Sequence, residues 1–235
     1  MTDVAQITLP ATPFTDLLAE RYSVRAFTDR PVTDTELEAI LTAAQRTPSW
    51  SNTQAWHVRV LRGDVLVEFG TRLQAAVRAR GKETGADLPL PGRFTDAEMA
   101  RKRETGYGRY EALGIDRNDP AGRTAASMLN FAFFGAPVGL VLTTTRSVGP
   151  YGWVDAGGYI ATLQYTAWSA GMGACALGSI GMQADRVREY LGIGDDEDVV
   201  AGLALGWPDH TAPGNQYRTR RAGVEEIVTE VTELR

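Results

Sequence analysis

Val138-Gly-Leu-Val-Leu-Thr-Thr-Thr145 is the run that decides the fold. Apolar and β-branched side chains follow one another there without helical gaps, which predicts a buried strand. Downstream, Ile160, Leu163, Ala167 and Trp168 recur with small residues between them, so 155–170 predicts a closely packed, largely buried helix. Residues 174–180 predict another strand, 185–191 a charged helix ending at Gly192, and 199–207 a strand broken by glycines. From Ala212 the tail reads as polar and irregular until Val224.

Upstream, Thr33-Asp-Thr-Glu36 is a capping box, and Leu37, Ile40, Leu41 and Ala44 follow at helical spacing, predicting a helix over 34–46 that Pro48 closes. Trp56, Val58, Val60 and Leu61 predict a strand ended by Gly63-Asp64, and Leu66, Phe69, Leu73 and Val77 a second helix. The stretch from Gly81 to Phe94 is rich in Gly and Pro and reads as a long loop bordering a site. A second capping box, Thr95 to Glu98, opens an exposed helix stopped by Gly114. Helices and strands interleave with no linker, low-complexity segment or repeat, which predicts a single α+β domain over residues 1–235.

A composition of 43% hydrophobic and 23% charged residues is that of a folded chain, and the net charge of −5 with both signs mixed argues against nucleic acid as a partner. One cysteine, Cys175, makes no internal disulfide, and His57 and His210 alone form no metal site. Met1 to Ala11 has no basic and apolar leader, and no run of about 18 apolar residues occurs, so the expectation is a cytoplasmic chain with no membrane partner.

Two stretches carry candidate chemistry. In Glu20-Arg-Tyr-Ser-Val-Arg-Ala-Phe27, Arg21 and Arg25 stand four apart with Ser23 between them. On a helical turn or tight loop both guanidinium groups converge on one anion; otherwise they solvate a surface turn. In Pro48-Ser-Trp-Ser-Asn-Thr-Gln-Ala-Trp56, Ser49, Ser51, Asn52 and Gln54 offer the donors and acceptors that the edge of a polar heterocycle demands, or are ordinary loop residues. Arg218, Arg220 and Arg221 form a further basic cluster or a solvated tail. Gly171-Met-Gly-Ala-Cys-Ala176 matches a dinucleotide fingerprint formally but follows a helix and leads into a strand, the wrong context. Cys175 reads as a small buried residue and His57 as a structural histidine.

Together these stretches resemble the FMN-dependent nitroreductase family from Arg21 to Arg221, and most closely its nitrobenzoate-reductase branch. The matching motifs are Arg21-Tyr-Ser-Val-Arg25, then Pro48-Ser-Trp-Ser-Asn-Thr-Gln-Ala-Trp56, the Ala176-Leu-Gly-Ser-Ile180 turn, Ala204-Leu-Gly-Trp-Pro208 and the tail from Asn215 to Arg221. Ala55 stands where the family usually has proline, which loosens the turn at Gln54.

The resemblance implies a three-layer sandwich, a mixed but mainly antiparallel sheet flanked by helices, in an intertwined homodimer. It implies FMN as cofactor, with Arg21, Tyr22, Ser23, Arg25 and Arg221 around the phosphate and ribityl chain. Pro48, Ser49, Trp50, Ser51, Asn52 and Gln54 would come from the other subunit, and Leu177, Gly178 and Ser179 would lie near the flavin N5. Phe94, Tyr107 and Tyr110 would wall the substrate pocket. The flavin itself would carry the chemistry, with no catalytic side chain. NADH or NADPH would supply hydride and a nitroaromatic or quinone-like small molecule would accept it, in ping-pong fashion. The alternatives under the same resemblance are an oxygen-using flavin oxidase or dehydrogenase and a flavin-binding protein without turnover.

Overall fold

In the computed structural model, which describes residues 13–80 and 84–234, the run Val138–Thr145 forms β2 and is buried at every position but the last. It pairs antiparallel with β1 (Trp56–Arg62) on one side and β4 (Glu197–Gly206) on the other, and β3 (Gly173–Leu177) pairs antiparallel with β4. The strand order is β1-β2-β4-β3.

Strand alternation then sorts side chains into two cores. Val138, Leu140, Leu142, Leu203 and Leu205 face one side, where α2 (Asp34–Ala44) and α6 (Pro150–Ser169) bring Leu37, Ile40, Tyr159 and Leu163. Val141, Ala204, Cys175 and Leu177 face the other, against Leu66, Phe69 and Leu73 of α3 (Gly63–Arg80) and the segment that carries Ile180, Ala184 and Val187. This is the helix–sheet–helix sandwich that the resemblance implies. Every pairing within the sheet is antiparallel, and the one parallel element among the described residues is an isolated bridge from Ser23 to Ala174.

Several sequence expectations need correction. The strand expected over 174–180 stops at Leu177, and the chain turns into α7 (Gly178–Gly181) and then α8 (Ala184–Leu191). That turn packs flush on β4: a Cβ on Gly181 would stand 2.3 Å from the Val200 carbonyl oxygen. The helix expected from 155 starts at Pro150, where proline fits the first helical position, and the helix expected to reach 46 ends at Ala44. Two helices lacked a visible period. One is α1 (Phe14–Glu20); the other, found beyond α4 (Asp96–Ala112), is α5 (Pro120–Met128), whose cap Asp119 accepts from the Gly122 amide at 2.8 Å. Of the expected loop, residues 84–94 are irregular and 81–83 lie outside the described residues, as does the leader reading of Met1 to Ala11.

Arg59 of β1 and Glu197 of β4 tie the sheet together across β2. The guanidinium donates to both carboxylate oxygens at 2.9 and 2.8 Å, and the Thr143 hydroxyl donates to the same carboxylate from the strand between. These bonds, led by that from Arg59, pull the Glu197 pKa down from 4.5 to about 2. A carboxylate depressed on folding stabilises the fold above its unfolded value and loses that contribution as pH falls. The melting temperature should therefore drop between pH 4.5 and about 2, by a free energy on the order of 3 kcal/mol from this group. Glu197→Gln should flatten that part of the pH–stability profile; an unchanged slope would show that the triad contributes nothing.

Candidate functional site

Helix α1 ends at Glu20, and from Arg21 the backbone is extended, with φ −61° and ψ 135°. Val24 then donates to the Ala174 carbonyl at 3.2 Å, which lays the segment alongside β3. Alternation in an extended chain buries Tyr22 and Val24 and presents Arg21, Ser23 and Arg25 together on the opposite face. The two arginines do converge, but through the two-residue period of an extended chain rather than through the helical turn or tight loop expected from their spacing.

They line a cleft of about 370 Å³ with Ser23, Arg109, Arg218 and Arg221. Elsewhere arginines such as Arg59, Arg146 and Arg188 are ion-paired. Among the described residues, none of the five cleft arginines has a carboxylate partner. Arg21 reaches the Gln164 side-chain oxygen at 3.5 Å and lies over the Tyr165 ring, Arg25 meets only the Ser23 carbonyl at 3.4 Å, and Arg221 meets Thr219 and the Arg220 carbonyl. Arg218 sits 3.4 Å above the Tyr22 ring. The Nε atoms of Arg21 and Arg109 are buried without any acceptor. Burial lowers the pKa of both groups, and the like charge of Arg221 on the first and Arg25 on the second acts the same way. Crowded, desolvated cations of this kind are stabilised by an anion placed among them.

The tail that completes this cleft has an irregular backbone, as expected, yet it is pinned. Asn215 is 1% exposed; its side chain accepts from the Arg25 amide at 2.7 Å and donates to the Ala26 and Asp209 carbonyls at 2.8 Å. Of the basic tail cluster, Arg218 and Arg221 line the cleft, while Arg220 turns away to Glu104 at 2.8 and 3.2 Å. Arg109 escaped the sequence reading because it belongs to a charged helix that looks exposed throughout; its one signal is that Thr105 stands four residues before it on the same face.

The second polar run is strained. Ser51, Asn52 and Gln54 have positive φ of 49°, 58° and 49°, a region that residues other than glycine enter at a cost and that clusters at functional sites. The Trp50 amide donates to both Asp155 carboxylate oxygens at 3.1 and 3.0 Å, and its ring stacks on Tyr151 at 5.2 Å. Gln54 is held by Ser49 through its amide and by Gln45 through its side chain, so alanine at 55 does not leave it loose. Pro48, Ser51 and Asn52 are exposed and Ser49 partly so.

One chain does not bring the two runs together. Asp155, which holds Trp50, and Gln164, which meets Arg21, are 164 − 155 = 9 positions apart on α6. At 3.6 residues per turn and 1.5 Å per residue they lie on opposite faces of that helix, about 14 Å apart along it.

Leu177 is buried at the end of β3, Gly178 has open space where a Cβ would stand, and the Ser179 hydroxyl oxygen is buried without a partner. Phe94, Tyr107 and Tyr110 do not line the arginine cleft: Lys102 covers Phe94 and Arg117 covers Tyr107, each at 4.4 Å, and α4 gives the cleft Thr105 and Arg109 instead. Cys175 is buried, and the same burial raises its pKa; His57 meets the Thr145 hydroxyl at 3.2 Å on an exposed strand face. Among the described residues no cluster of metal-ligating side chains occurs, and no helix is long and apolar enough to cross a membrane.

A three-layer sandwich with a cleft of five arginines beside one edge of its sheet, lined also by Glu20 but with none of the arginines ion-paired among the described residues, is the framework of an anion-binding α+β protein. The model of the nitroreductase family matches residues 18–207. The chain is 34% identical over 210 residues to the 4-nitrobenzoate reductase of Pseudomonas putida, covering 88% of this chain and 91% of that one. Its fold matches the crystal structure of the FMN and NADPH-dependent nitroreductase NfnB from Sphigopyxis sp. strain HMH with a TM-score of 0.88 at 35% identity, over 94% of this chain and all of the other. The FMN-dependent NfnB from Mycobacterium smegmatis, in complex with NADPH, matches with a TM-score of 0.84 at 28% identity, over 92% and 97% of the two chains. The chain belongs to the nitroreductase family.

Proposed function

We propose that this chain is an FMN-dependent reductase that takes hydride from NADH or NADPH and delivers it to a small nitroaromatic or quinone-like acceptor in ping-pong fashion. The observation that carries the reading is the cleft in which Arg21, Arg25, Arg109, Arg218 and Arg221 converge, none of them ion-paired among the described residues although Glu20 also lines it. A phosphate ester fits that donor set, since its oxygens accept charge-assisted hydrogen bonds from several guanidinium groups at once. Relatives named as nitrobenzoate and nitrobenzene reductases, and solved structures named as FMN-dependent, support the same cofactor and acceptor class.

Hydride transfer is the chemistry FMN supplies when bound; the protein supplies position, charge and exclusion of water. Arg21, Arg25 and Arg221 would hold the phosphate, with Ser23 and Tyr22 beside the ribityl chain. Gly178 and Ser179 would offer donors at the ring, Leu177 ordering the strand beneath them. Pro48, Ser49, Trp50, Ser51, Asn52 and Gln54 would close the ring edge from a second copy of the chain. The opposed faces of α6 support this homodimer, as do exposed apolar side chains beside the strained run (Trp50, Tyr151 and Val154 at 52, 57 and 70%) and in the tail (Val231 and Leu234 at 72 and 95%). Phe94, Tyr107 and Tyr110 are assigned to the acceptor wall on the position of α4 next to the cleft. We place this single-domain protein in the cytoplasm, a setting supported by its one buried thiol.

Purified protein should be yellow, bleach on adding NADH or NADPH under nitrogen, and regain colour with nitrobenzoate or a quinone. Colourless protein that does not take up added FMN would overturn the proposal, and turnover that needs oxygen but no nicotinamide would replace it with an oxidase.

A further inference from the structure

We propose that Arg109, carried by α4, is an additional binding residue for the flavin phosphate, and that through it the bound anion locks α4 onto the rest of the chain. No residue of α4 is buried, so the helix has no apolar anchor in either core. It docks through the Tyr217 ring, which packs on Gly108, and through polar contacts: the Tyr217 hydroxyl donates to the Glu104 carbonyl at 3.3 Å, Arg220 pairs with Glu104, and Arg101 pairs with Glu226 at 3.1 Å. The last two are exposed ion pairs, which contribute little in water.

Arg109 differs from these. It points inward, lies 5.4 Å from the centre of the Phe134 ring, and spends one weak hydrogen bond on the Ala126 carbonyl at 3.4 Å while its buried Nε has no acceptor. Withdrawing a cation from water beside Arg25, with no carboxylate opposite, is unfavourable unless an anion joins them. Arg21 and Arg25 reach the cleft from the extended strand, and Arg109 reaches it from α4. A phosphate between the two walls bridges elements that are otherwise joined by one ring contact, at Gly108, and by polar surface contacts. Flavin loading and α4 docking are therefore coupled, and the coupling belongs to the phosphate rather than to the ring.

The inference rests on the flavin reading above, and comparing FMN with riboflavin, which lacks the phosphate, separates the two. Apo-protein is titrated with each flavin by fluorescence, and amide hydrogen exchange is followed over residues 96–112. Wild type should prefer FMN, and FMN but not riboflavin should slow exchange in α4. Arg109→Met should reduce the FMN-over-riboflavin preference by about tenfold or more, as expected for one charge-assisted bond, with Arg109→Lys recovering part of it. If Arg109→Met weakens both flavins equally, or if α4 exchanges alike under both, the inference fails while the flavin reading stands. If wild type binds neither flavin, the flavin reading itself fails. Should Arg109→Met not fold, Arg109→Lys and the wild-type exchange comparison still decide.

Discussion

Arg21→Ala should weaken FMN retention by about ten- to a hundredfold, while Arg103→Ala leaves it unchanged. The two arginines differ in what surrounds them. Arg103 is exposed on α4, whereas Arg21 sits in the cleft with a buried, unpartnered Nε and with Arg221 near enough to depress its pKa. Removing a guanidinium that a bound phosphate would share forfeits a charge-assisted hydrogen bond, worth about 1.5 to 3 kcal/mol. Equilibrium dialysis of FMN against each variant measures the difference, and Arg21→Lys should keep the charge but lose the two-pronged geometry. Equal retention by Arg21→Ala and Arg103→Ala would show that the phosphate does not lie in this cleft.

The second large effect concerns stability. Gly181→Ala should cost about 3 kcal/mol, because the added methyl carbon would stand 2.3 Å from a backbone oxygen, that of Val200 on the buried strand β4. Backbone in a central strand cannot swing aside as a long side chain can, so α7 must lift from the sheet. Gly178 and Ser179 belong to that same short helix, so whatever flavin contact they make should loosen with it. Chemical denaturation gives the stability change. Gly157→Ala is the control, since a Cβ at that glycine meets nothing within 4 Å. Equal midpoints for the two variants would refute the close-packing account of why the strand expected through Ile180 breaks at Leu177.

How far the sequence carried the fold can be judged from particular elements. The two Thr-x-x-Glu boxes placed the starts of α2 and α4 because capping is local: Thr33 and Glu36, and Thr95 and Glu98, satisfy each other's backbone within four residues. The run 138–145 announced a central strand because burial on both faces leaves it apolar or β-branched, without a charged residue or a helical gap. The strand misread over 174–180 shows the limit. Gly178 within it and Gly181 just beyond carry no periodic signal, and whether they continue β3 or fold over it depends on the distance to β4, a contact between segments remote in the chain. The site follows the same division. Arg21, Ser23 and Arg25 were visible as a motif, but their common face comes from pairing with Ala174, and Arg109 was hidden among the charges of α4.

By itself the sequence determined the sandwich class, the capped starts of α2 and α4, the central strand and the family, all of which depend on patterns carried by short stretches of residues. Only the tertiary structure decided which arginines share a cleft, that none of them meets a carboxylate, and that the strained run at 51–54 lies across α6 from it. Charge pairing and the sharing of a face are set by three-dimensional proximity between distant segments, and a linear spacing cannot encode a distance it does not itself span.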